Sequence, residues 1–152
     1  MTKKFLTATF ALALALTTTG CFEDMAVTFD EESPLRVEFA QVQGGYAAAY
    51  ADGQTISLTV NLIAPQQSSD VSVNVAVIGD GTNAVEGAQY SFPNGTTVTI
   101  PAGTSFGELQ IDLLEGPLDD NSRTFLQLEL QDTGDVIAED NLDDFTVQIA
   151  DL

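Results

Sequence analysis

Val71, Val73, Val75 and Val77 alternate with Ser72, Asn74 and Ala76, and a chain with that pattern has few ways to bury its valines. Residues two apart share a face on a strand but not on a helix, so the run specifies a half-buried β-strand. The alternation returns at Leu35, Val37 and Phe39; at Ile56, Leu58, Val60 and Leu62; and at Leu109, Ile111 and Leu113. It returns twice more, at Leu126, Leu128 and Leu130 and at Phe145, Val147 and Ile149. Turn chemistry separates the runs: Gly79-Asp80-Gly81-Thr82, Pro93-Asn94-Gly95, Pro101-Ala102-Gly103 and the acidic stretch 115–122.

With the shorter stretches Tyr90–Phe92 and Thr96–Ile100, the chain reads as seven to eight strands, with turn signals roughly every ten residues and no helix of useful length. The expected fold is all-β, an immunoglobulin-like antiparallel β-sandwich, with a closed barrel as runner-up. Asn94-Gly95 is the clearest hairpin signal. Residues 44–53 read as a loop, in which Tyr46 and Tyr50, four apart, could align on a short helical turn.

The first residues bear on location. Lys3 and Lys4 precede an uncharged run, Phe5–Leu16, and then Thr17-Thr18-Thr19-Gly20-Cys21. A basic start, 12 uncharged residues where a spanning helix needs about 20, and a small-residue exit describe a secretory signal peptide. The exit resembles the lipobox of bacterial lipoproteins, with Thr19, Gly20 and Cys21 matching and Thr18 in the usual place of leucine. That resemblance implies cleavage before Cys21, lipidation of its sulfur, and a membrane partner through the lipid. Cys21 is the only cysteine, so it has no disulfide partner within the chain. The expected organisation is 1–20 as cleaved signal peptide, 21–34 as acidic tether with a weak strand at Met25–Phe29, and 35–152 as the sandwich domain. Glu23 and Asp24 resemble acidic export tags of some Gram-negative surface lipoproteins, or else belong to a solvated linker. The expected address is therefore the bacterial outer membrane or cell surface.

Charge and composition exclude several activities. Without residues 1–20 the chain keeps Arg36 and Arg123 against 23 acidic residues, a net charge of −21. Phosphate binding depends on Lys and Arg, so nucleic acid is excluded as an electrostatic partner. There is no histidine, and both lysines leave with the signal, so neither a Ser-His-Asp nor a Cys-His nucleophile can be assembled, nor a His/Cys zinc site. No catalytic residue is assigned. A carboxylate-based hydrolase stays as a weak alternative, although the chain lacks tryptophan for a sugar platform.

The acids are unevenly placed. Residues 41–107 contain Asp52, Asp70, Asp80 and Glu86, whereas 115–151 contain eleven. Ca²⁺ takes six to eight oxygen ligands, and no EF-hand spacing occurs. If loops at one end of a sandwich converge, Asp119, Asp120, Asp140, Asp143 and Asp144 are the candidate calcium ligands. The competing explanation is a solvated acidic face, which would also suit a saline medium. Both stay open.

The segments Asp80–Tyr90, Val98–Gly103, Leu109–Leu113, the acidic turn and Phe125–Leu130 together resemble a Calx-beta-type domain, over about residues 35–150. They also resemble small bacterial surface lipoproteins built on that pattern. The resemblance implies an immunoglobulin-like sandwich and calcium binding. Gln89 stands where the pattern has Asp before tyrosine, Tyr50-Ala51-Asp52 precedes Gly53, and Arg123 takes the second glutamate's place in the acidic turn. The functional expectation is a lipid-anchored, non-enzymatic binding or interaction module, or else a structural accessory subunit of a surface assembly with an envelope protein as partner.

Overall fold

The computed structural model describes residues 33–40, 46–50, 53–114 and 123–150. Cys21, the leader, Met25–Phe29, Asp119 and Asp120 lie outside the described residues. Ten strands form: β1 (Leu35–Phe39), β2 (Tyr46–Tyr50), β3 (Thr55–Ile63), β4 (Val71–Val77), β5 (Tyr90–Ser91), β6 (Thr97–Ile100), β7 (Phe106–Leu113), β8 (Arg123–Gln131), β9 (Val136–Ala138) and β10 (Asp144–Ala150). They make two five-stranded sheets, β5-β7-β3-β1-β9 and β2-β10-β8-β4-β6, so the fold is the expected β-sandwich and not a closed barrel.

The odd-numbered strands form one sheet and the even-numbered strands the other. Successive strands therefore face each other across the interior, and among the described residues no two of them pair. This corrects the hairpin expected at Asn94-Gly95. The turn is there, with the Gly95 N–H donating to Phe92 O at 3.1 Å and Gly95 at φ 77°, but it carries the chain between sheets. The ladder bonds of β5 go to β7 and those of β6 to β4, which leaves neither strand for the other.

Apolar alternation decides which side of each strand faces inward. Leu58, Val60 and Leu62 of β3 and Leu109, Ile111 and Leu113 of β7 are buried, and across the interior so are Leu126, Leu128 and Leu130 of β8. The Phe39 ring lies 5.7 Å from that of Phe145, tying β1 to β10 across the two sheets. Each such side chain contributes about 1.5–3 kcal/mol by leaving water.

Two strands were not expected. Tyr46–Tyr50, read as loop or helical turn, is β2, paired in parallel with β10 from Tyr46↔Thr146 to Tyr50↔Ala150. Its three central alanines carry no alternation, so only the ladder to β10 shows it as a strand. The three-residue β9 pairs in parallel with β1.

The sheets meet at a tight corner where β7 passes β6. A Cβ built on Gly107 would lie 2.5 Å from Thr99 O and 2.8 Å from Val98 Cγ1. Backbone cannot yield as a flexible side chain can. Gly107→Ala is expected to cost about 1–3 kcal/mol in urea unfolding, whereas Gly79→Ala, with nothing within 4 Å of its added Cβ, should leave the midpoint nearly unchanged.

Candidate functional site

The acidic turn between β9 and β10 carries Asp140 and Asp143, with Asp144 opening β10, and backbone bonds hold it. Leu142 N–H donates to Glu139 O at 2.8 Å, Phe39 N–H donates to Leu142 O at 2.9 Å, and Leu130 N–H donates to Asp143 O at 2.7 Å. The turn is thus fastened to β1 and to β8, and Asp144 stands opposite Glu129 in the β8–β10 ladder. Burial pushes the Asp143 carboxyl up, and the charges of Asp144, Glu129 and Asp140 push it further; its own backbone N–H opposes them.

Neighbouring acids already have partners. Asp132 Oδ1 accepts from Ala138 N–H at 2.9 Å, and Glu139 accepts from Arg36 Nη1 at 2.9 Å. Among the described residues no group of three or more His, Cys, Asp or Glu could hold a metal ion. Asp140, Asp143 and Asp144 lie within five residues at the β9–β10 turn without forming such a group, and Asp119 and Asp120 fall outside the described residues. Arg123, which follows 115–122, also sits far from this turn. Arg123 pairs with Ala150, whereas Glu129 pairs with Asp144, so the two places on β8 are separated by roughly 20 Å at about 3.3 Å per residue. The described residues do not fit a calcium ion.

Gln89, in the place of the pattern's Asp, is structural. Its Oε1 accepts from Val85 N–H at 2.8 Å, and its own N–H donates to Val85 O at 2.9 Å. It is 8% exposed, and a neutral amide there avoids the cost of a buried carboxylate. Beside it, Tyr90 is buried against Phe92 with ring centroids 5.5 Å apart, and its phenol is pushed up by burial and by Glu86. Thr82 and Asn83 continue the edge that β4 leaves. Thr82 Oγ1 accepts from Gln127 N–H at 2.8 Å and Asn83 Oδ1 from Phe125 N–H at 2.6 Å. Arg123 is also engaged: with the amide assigned from its surroundings, Gln148 oxygen accepts from Arg123 Nη1 and Nε at 3.2 and 3.1 Å.

The outer face of the β5-β7-β3-β1-β9 sheet carries polar pairs. Thr55 Oγ1 donates to Asp112, Ser57 Oγ reaches Glu108 at 3.5 Å, and Asn94 Nδ2 donates to Gln110 at 2.8 Å. Phe106 stands at the end of this face, 54% exposed.

No family model matches the chain, and no curated protein matches it. Among solved structures, the apo form of the Calx CBD1 domain superposes with a TM-score of 0.59 at 16% identity, over 79% of this chain and 99% of that one. A candidate carbohydrate-binding protein from Bacteroides ovatus superposes at 0.58 and 16% identity, over 76% of this chain and 37% of that one. The calcium binding domain CBD12 of CALX1.1 follows at 0.55 and 16%, over 76% and 45%. The chain is similar to these proteins in fold, the class being a Calx-beta-like two-sheet sandwich. It spans less than half the length of the last two.

The crowding at Asp143 has a consequence for stability. A carboxyl whose folded value is raised holds its proton more tightly folded than unfolded. The stability it contributes is complete below the usual carboxylate value of about 4 and is lost as pH rises through the raised value. In metal-free buffer, Asp143→Asn is expected to raise Tm at pH 7, and the gain should vanish in melts below about pH 4.

Proposed function

We infer that this chain is a lipid-anchored β-sandwich of the bacterial cell envelope, at the outer membrane or cell surface, and that it acts as a non-enzymatic binding or interaction module. One observation carries the reading. The single cysteine, Cys21, follows Thr19-Gly20 at the end of a basic-then-apolar leader, and the two-sheet sandwich follows it in sequence. Two acyl chains on one N-terminus hold a protein stably to a bilayer where a single chain does not.

The binding role is supported by what the mature chain lacks and by what its acids do. It has no histidine and no lysine, and the carboxylates of Asp112, Asp132 and Glu139 are engaged in hydrogen bonds that hold the fold. Similarity in fold to the Bacteroides ovatus protein and to the Calx domains is consistent with a module that presents surfaces. Such similarity specifies architecture better than activity.

Calcium is left out of this reading because the described carboxylates near the acidic turn do not converge on one point. Millimolar CaCl₂ is expected to raise Tm no further than NaCl of matched ionic strength. A larger rise would restore the metal site. For the anchor, the parent protein is expected in the membrane fraction, and Cys21→Ser should move it to the soluble fraction. Unchanged fractionation would refute lipid anchoring at Cys21.

A further inference from the structure

Two open sheets have four edge strands, and each edge is a row of N–H and C=O groups that needs partners. The chain itself closes three of them. Outside β9, Val136 and Thr133 exchange N–H to O bonds of 2.9 Å, and Ala138 N–H is taken by Asp132. β5 is only two residues long, and Tyr90 O accepts from Gly87 N–H at 2.8 Å. β6 is shut in by the corner at Gly107, whose added Cβ would strike Thr99 backbone.

β2 is different. It pairs along all five residues with β10 on one side, and among the described residues it has no partner on the other. Its sequence, Tyr-Ala-Ala-Ala-Tyr, contains none of the devices that blunt an exposed edge: no lysine, no proline and no charge.

We propose that the outer edge of β2, unpaired among the described residues, receives an extended, Lys- or Arg-bearing strand of a partner protein by strand addition. Main-chain hydrogen bonds supply affinity in this mode, and alternate side chains supply selectivity. Charge selects the occupant. A second copy would bring another net −19 against the first, whereas a basic segment is drawn in and held by the same field. The proposal gives the binding-module reading a partner class and rests on it, but it does not depend on the lipid.

The test uses the purified protein and a short fluorescent peptide alternating valine with lysine. In the control peptide every second valine is proline, so charge is kept and strand pairing is blocked. Anisotropy titrations at physiological ionic strength should show the alternating peptide binding tighter than the control by about tenfold or more. Of Ala47→Pro and Ala48→Pro, one removes an N–H that faces β10 and lowers Tm. The other removes an outward N–H; it should keep the parent Tm and lose about tenfold in peptide affinity. Equal binding of both peptides, no binding of the alternating peptide, or parent-like affinity in the stable proline variant would each overturn the proposal. Membrane fractionation of Cys21→Ser reports on the anchor alone, so failure here and failure there are told apart.

Discussion

One interior, filled from both sides by every second residue, is the constraint on which this structure depends. Consecutive strands lie in opposite sheets, so among the described residues no strand pairs with the strand next to it in sequence. β1 reaches β3 and β9, and β3 reaches β7. Each ladder is closed only when distant segments have come together, and the apolar residues that bring them together lie on the inner faces. A chain held by such non-local contacts must meet most of its loop-closure cost before its pairings repay it. The fold is therefore expected to stand or fall as a unit, with the Phe39–Phe145 contact among the links between its halves.

Electrostatics is arranged around scarcity of positive charge. The two arginines are both engaged, Arg36 with Glu139 and Arg123 with the Gln148 amide. Other acids are used as backbone acceptors or hydroxyl partners, as at Asp132 and Asp112, or face water. Asp143 is the exception: three other carboxylates crowd it while burial removes part of its water. The acidic end is thus a place where the fold gives up some stability. The neutral acceptor Gln89 shows the opposite solution at a buried position.

Much of this was legible in the chain. The strands at Leu35–Phe39, Val71–Val77 and Arg123–Gln131 announce themselves by strict alternation, because a half-buried sheet allows nothing else. β2 and β9 were hidden for different reasons. A run of alanines has no apolar period, and three residues within an acidic loop are too few to show one. Asn94-Gly95 is a turn, but turn chemistry states only that the chain reverses, not whether it returns to the same sheet.

The candidate site was less legible than the fold. Proximity in sequence grouped Asp140, Asp143 and Asp144, and the turn keeps them together. Whether acids from different loops meet depends on which ends of the strands those loops join, and pairing of Arg123 with Ala150 and of Glu129 with Asp144 sets Arg123 and Asp144 at separate places along β8. The sequence by itself determined the all-β class, the inward face of most strands and the scarcity of positive charge, since these follow from residue type and period alone. Only the tertiary structure decided which strands pair, which edges are closed and which one has no partner among the described residues. Those choices are made by hydrogen bonds between segments far apart in the chain, and no local pattern encodes them.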